Sequence, residues 1–71
     1  MSNLAKLIHD RRVAAGKTLE EVGTAVGVSK ATIQRWESGM IRNMGVDKVI
    51  PLANALELDV AEMIEALRRD V

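Results

Sequence analysis

The chain has 71 residues, with ten Lys and Arg against ten Asp and Glu, one His, no Cys and a single aromatic residue, Trp36. This length allows one domain, residues 1–71. The absence of Cys excludes disulfides and thiolate metal sites. One His leaves almost no other metal chemistry, and one aromatic argues against stacking of single-stranded bases. No apolar run approaches the ~20 residues of a membrane span, and charged residues interrupt the N-terminal stretch where a signal peptide would lie.

Apolar periodicity and glycine punctuation predict one helix before position 16. Leu4, Leu7 and Ile8 lie at helical spacing, and this pattern predicts a helix over about 2–15. Gly16 follows where a helix C-terminus favours glycine.

Cap patterns place two short helices next. Thr18 and Glu21 form a capping-box pair at the start of the second helix, which Gly27 ends. Ser29 is a good N-cap for the third helix, which ends before Gly39.

The last third of the chain predicts two further helices after a loop over about 40–46. Asp47 is the expected N-cap of the fourth helix, which puts Pro51 at the edge of the tolerated first turn. Asp59 and Glu62 resemble a capping box at the start of the fifth. The fifth helix has an apolar stripe of Val60, Met63, Ile64 and Leu67. Five short helices with short links predict an all-α bundle.

The link between the second and third helices has the pattern of a helix-turn-helix, over about 18–38. A glycine in a tight link permits the left-handed backbone that such a turn needs. The third helix would then expose residues whose side chains suit base edges in the major groove. These residues are Lys30, Ala31, Gln34 and Arg35.

The segment from Thr18 to Gly39 resembles the helix-turn-helix of phage repressors and Cro-type regulators, the XRE family. The similarity extends back through the first helix and forward to the segment 52–58, so it covers about 60 of the 71 residues. It implies a lambda-repressor-like bundle of five helices that binds double-stranded DNA.

The resemblance also implies roles for individual residues. Base contacts fall on Lys30, Ala31, Gln34 and Arg35. Phosphate contacts fall on Thr18, Ser29, Ser38 and Arg42. Arg12 and Glu37 match a salt bridge between the first helix and the end of the third. The chain departs from the family pattern at Leu19, where Gln is frequent, and at Met40, where a basic residue is frequent.

Relatives of this kind usually dimerise through the C-terminal end of the domain. We therefore expect Val60 and Ile64 to face the core and a partner copy to contact Met63, Leu67 and Val71. A homodimer would read two half-sites about one helical turn, ~34 Å, apart.

The leading hypothesis is a cytoplasmic bacterial or phage regulator, most simply a repressor on a pseudo-palindromic operator. The alternative is a protein-interaction module of the same fold, such as an antitoxin or adaptor. We expect no cofactor, metal or small-molecule ligand. The sequence contains no nucleophile–base pair or phosphate loop, so an enzyme is not expected.

The zero net charge conceals two unlike parts. Residues 1–48 contain eight basic and five acidic side chains, a net charge of +3, and residues 49–71 contain two basic and five acidic, a net charge of −3. The basic part contains the predicted helix-turn-helix, and this polarity would orient that end toward DNA.

Overall fold

The computed structural model describes residues 3–41 and 44–70, and within these ranges it contains five helices and no strand. The helices are α1 (Asn3–Ala14), α2 (Leu19–Val26), α3 (Lys30–Glu37), α4 (Val46–Ala55) and α5 (Val60–Arg69). The expected all-α architecture is therefore confirmed. The predicted contact residues Arg42 and Val71 lie outside the described ranges.

Helices α2 and α3 begin at the caps that the sequence predicts. Thr18 Oγ1 accepts a hydrogen bond from the Glu21 N–H at 3.0 Å, and Glu21 Oε1 accepts one from the Thr18 N–H at 2.9 Å. Ser29 Oγ accepts from the Thr32 N–H at 3.2 Å. Because each cap satisfies an N–H that the first turn leaves unpaired, both helix starts are fixed locally.

The core lies between α2 and its neighbours. Helix α2 packs on α3 and α4, while α1 packs on α3 and α5. The largest fully buried side chains are Ile8, Val22, Ile33, Leu52 and Leu56. Each of α1 to α4 contributes at least one of them, so a single apolar core holds these helices together. Only the inner side of α3 packs against the other helices, and its outer side faces solvent.

Helix α4 begins earlier than the sequence indicates. Its first residue is Val46, and its N-cap is Gly45, which has no side chain to cap the helix. Asp47 is therefore inside the first turn, not the N-cap that the sequence predicts. Pro51 lies in the second turn, where its ring nitrogen cannot donate the usual bond to the carbonyl four residues earlier.

Helix α5 is rotated relative to the sequence expectation. Met63 is only 2% exposed and belongs to the core, whereas Ile64 is 51% exposed. The predictions that Met63 faces a partner and that Ile64 faces the core are thus both wrong. Asp59 is the N-cap residue as expected, but its side chain makes no capping hydrogen bond.

The two ends of the described chain meet. Asp70 accepts hydrogen bonds from the Asn3 N–H at 2.6 Å and from the Leu4 N–H at 3.1 Å. The carboxylate thereby caps the first turn of α1, where the helix dipole favours a negative charge.

Candidate nucleic-acid interface

Helices α2 and α3 approach closely because Gly23 has no side chain at their junction. A Cβ at Gly23 would lie 2.7 Å from the Val28 carbonyl oxygen, inside any normal contact distance. Gly27 has φ +85°, the left-handed backbone that ends α2 and starts the turn. The turn therefore holds α3 in a fixed orientation against α2.

The four expected base-contacting residues share one exposed face of α3. Ile33 and Trp36 are buried on the inner side of the helix. The helical period places the exposed residues on the opposite side. These residues are Lys30, Ala31, Gln34 and Arg35. The face presents two cations, one amide and one methyl group to solvent.

The two cations on this face differ from the other basic side chains in the described ranges. Lys30 and Arg35 have no acidic or hydrogen-bonding partner there. All the others have one: Lys6 with Asp10, Arg11 with Glu62, Arg12 with Glu37, Lys17 with the Ala55 carbonyl, Lys48 with Asp47, and Arg68 and Arg69 with Glu65. The outer face of α3 is therefore where positive charge is available to an external anion.

Three of the expected phosphate-contacting residues have hydroxyl groups, and they differ in whether the hydroxyl proton is available to a phosphate. Thr18 Oγ1 accepts from the Glu21 N–H, so its proton remains available to a phosphate oxygen. Ser29 Oγ lies 3.1 Å from Thr32 Oγ1, and either hydroxyl can donate. Ser38 Oγ already donates to the Gln34 carbonyl at 2.9 Å. A phosphate would have to displace that bond before Ser38 could donate to it.

The end of α3 is tied to α1 through the carboxylate of Glu37. Arg12 Nε donates to Glu37 Oε2 at 2.6 Å, and Arg12 Nη2 donates to Oε1 at 3.1 Å. His9 Nδ1 lies 2.8 Å from the same Oε1. The structure thus brings together the Arg12–Glu37 pair that the resemblance implies, and adds His9, which the sequence alone gave no reason to place there.

The ion pair sets the protonation of Glu37. Burial alone would raise the pKa of its carboxyl group, but the hydrogen bonds from Arg12 and then His9 outweigh burial, and the pKa is lowered. The hydrogen bond to Glu37 in turn raises the pKa of Arg12. Both groups are therefore charged at neutral pH, and their charges are directed at each other rather than at a ligand.

Lys17 makes a contact with α4 that the sequence does not predict. Lys17 Nζ donates to the Ala55 carbonyl at 2.5 Å, at the C-terminus of α4. A cation there complements the negative end of the helix dipole. The residues are 38 positions apart, so no local pattern could have indicated the contact.

Two short helices joined by a left-handed glycine, with the second presenting free cations beside an amide, define a DNA-binding helix-turn-helix. A family profile described as helix-turn-helix matches residues 8–63. The chain belongs to this family, in its XRE, Cro and repressor branch, and its fold is of the lambda-repressor type. Membership identifies a DNA-binding transcription regulator.

A comparison with curated proteins gave no match. Across residues 3–41 and 44–70, no helix combines the length and the apolar character needed to cross a lipid bilayer.

Proposed function

We propose that the protein is a transcriptional repressor that binds a pseudo-palindromic operator as a homodimer, with α3 of each copy in the major groove. The observation that carries this proposal is the availability of Lys30 and Arg35, while the other basic side chains in the described ranges have partners within the fold. Operator DNA would place the protein in the cytoplasm of a bacterium, whether the gene is bacterial or phage-encoded. Residues 1–71 would form one domain, which contains the helix-turn-helix.

The exposed face of α3 carries the chemistry for reading bases. Lys30 and Arg35 can donate to guanine O6 and N7, and Arg35 can do so with two bonds. Gln34 can bond N6 and N7 of adenine, and the Ala31 methyl can pack on the thymine methyl. The N-terminal half of a recognition helix contacts the base edges in this motif, which favours Lys30 and Ala31 for the deepest contacts.

Phosphate contacts would fix the register of α3 in the groove. Thr18 and Ser29 are exposed and can donate their hydroxyl protons. Arg42, in the segment between α3 and α4, would add a charged contact. Ser38 is the weakest of the four, since its proton is engaged with Gln34.

A second copy of the chain is the proposed occupant of an apolar groove of about 150 Å³ between α1, α4 and α5. Ile64 and Leu67 of α5 are exposed at its rim, beside Val46 of α4. The proposed dimer face therefore contains Ile64 and Leu67, and it does not contain Met63, which is buried.

The test is selection of bound sequences from a random duplex library, followed by sequencing. The proposal predicts an enriched motif with two related halves about one helical turn, ~34 Å, apart. Enrichment of a single half-site would contradict the dimer but not DNA binding. No enrichment over the input library would contradict sequence-specific binding.

The alternative of a protein-interaction module is favoured by one observation. Large apolar side chains are exposed away from the α3 face, among them Val46, Ile50 and Ile64, and such side chains are common at protein interfaces. A gel shift with random duplex at low salt separates the two functions. An absence of binding at micromolar protein would favour the interaction module.

A further inference from the structure

Lys48 is a basic residue of α4 whose amine lies at the helix-turn-helix. A Cβ built on Gly27 would lie 3.9 Å from Lys48 Nζ. Gly27 is the residue that ends α2 and opens the turn into α3. The first turn of α4 therefore places a cation beside the start of the recognition helix, although α3 itself contributes only Lys30 in that region.

The ion pair between Lys48 and Asp47 is weak. The Asp47 carboxylate lies 3.7 Å from Lys48 Nζ, and its side chain is 77% exposed, whereas that of Lys48 is 31% exposed. Ion pairs between exposed side chains contribute little to stability, because water screens the two charges. A phosphate could therefore replace Asp47 at little cost.

The length of α2, which separates Thr18 from Lys48 Nζ, is close to the width of the major groove. Helix α2 has eight residues, so its ends lie roughly 12 Å apart at 1.5 Å per residue. Thr18 caps the N-terminal end, and Lys48 Nζ lies at the C-terminal end. The major groove of B-DNA is also about 12 Å wide. A helix α2 that lies across the groove would bring its two ends to opposite phosphate backbones.

We propose that Lys48 binds a DNA phosphate on the wall of the groove opposite the phosphate that Thr18 contacts. This inference rests on the proposed DNA-binding face of α3. The two contacts lie at opposite ends of α2 and come from different parts of the chain, so together they would fix both the depth and the tilt of α3 in the groove. Lys48 would act on every DNA sequence alike, since a phosphate contact carries no base information.

A purely structural role is the competing explanation. Helix α2 has no basic residue in its last turn, and Lys48 could serve as the cation that complements its C-terminal dipole. In that case its removal would lower the stability of the fold and leave the electrostatics of DNA binding unchanged. The two roles differ in what they do to the salt dependence of binding.

The experiment compares Lys48→Gln with Lys6→Gln in the full chain. Lys6 is an exposed lysine of α1, paired with Asp10, so the control removes the same charge from another part of the molecule. Affinity for one duplex is measured over a range of salt concentrations, and Tm is measured for each variant. Lys48→Gln should flatten the slope of log affinity against log salt by about 0.9 for each bound copy.

Three further results complete the test. Lys6→Gln should keep the wild-type slope, Lys48→Arg should restore it, and the Tm of Lys48→Gln should stay close to that of the wild type. An unchanged slope overturns the phosphate contact, whether Tm falls or not, and a fall in Tm then identifies the structural role. If the wild-type protein binds no duplex at low salt, the proposed function fails as well, which separates that failure from a failure of Lys48 alone.

Discussion

Arg35 is the side chain whose removal tests base reading most directly. Its guanidinium is exposed on α3 and has no partner within the described ranges. A bidentate contact to guanine discriminates against the wrong base by ~1–3 kcal/mol. Arg35→Ala should therefore weaken binding to the selected operator by that amount, with a smaller effect on random duplex, as measured by equilibrium titration of both.

Arg68→Ala is the matched control, because it removes a guanidinium from α5, which packs on α1 and α4 rather than on the helix-turn-helix. The ratio of operator to random affinity should not change in this variant. Equal losses on both duplexes in Arg35→Ala would mean that Arg35 contacts phosphates alone.

The ion pair of Glu37 should make the stability of the fold depend on pH. Its side chain is 9% exposed and paired with Arg12, and the loss of one partner of such a pair costs ~3 kcal/mol. Its pKa in the fold lies below the ordinary 4.5, so the stabilisation is fully present above pH 4.5. It is lost as the pH falls through the lower native value, because protonation then removes the charge.

The corresponding experiment measures unfolding by denaturant for the wild type and Glu37→Gln, with Trp36 fluorescence as the probe. The difference in unfolding free energy should be fully present above pH 4.5 and should shrink as the pH falls below that value. Glu20→Gln, on the exposed side of α2, should show little difference at any pH. A Glu37 difference that did not vary with pH would show that packing, rather than charge, is responsible.

Among the helices, α2 and α3 could be placed from the sequence because their signals are local. A capping box spans four residues, and a left-handed glycine needs only its own position. Helix α4 has weaker local signals, since Gly45 offers no capping side chain, whereas the nearby Asp47 is a residue type that often caps a helix. The rotation of α5 depends on how Met63 meets the rest of the core, and a stripe on one helix does not determine that angle.

Gly23 tests the packing of α2 against α3. Alanine is favoured over glycine inside a helix by about 1 kcal/mol, so propensity alone predicts that Gly23→Ala is stabilising. The added Cβ would lie 2.7 Å from backbone, the Val28 carbonyl oxygen, and overpacking of this kind costs roughly 1–3 kcal/mol. We expect a net loss of stability in denaturant unfolding, together with weaker DNA binding because α3 must move.

Thr24→Ala, at the next and exposed position of α2, is the control for helix propensity and should be neutral or slightly stabilising. A stabilised Gly23→Ala would show that the turn can shift without cost.

Across the whole molecule, the sequence could predict the α3 face and the polarity of charge, but not the long-range ties. The Asp70 carboxylate reaches the first N–H groups of α1 over 67 positions, and Lys17 reaches the end of α4. Neither contact has a sequence pattern, because each exists only after the helices have packed. Contacts of this kind also determine which basic side chains remain without a partner, so the sequence alone does not distinguish Lys30 and Arg35 from the paired cations.

The proposed dimer interface can be tested by placing a charge in the apolar groove. An aspartate at an exposed apolar position of the groove would place a charge in the proposed interface, where burial without a partner is costly. Leu67→Asp should therefore weaken binding to a duplex with two half-sites while leaving binding to a single half-site nearly unchanged. Sedimentation of the DNA-bound species would report one copy per duplex in place of two.

Val13→Asp is the matched control, since Val13 is an exposed apolar residue of α1 that does not line the groove. It should retain two copies on the two-site duplex. If Leu67→Asp also bound as two copies with wild-type affinity, α5 would not form the interface. If both variants lost half-site binding, the effect would lie in the fold or in overall charge, because a contact between copies has no part in the binding of a single half-site.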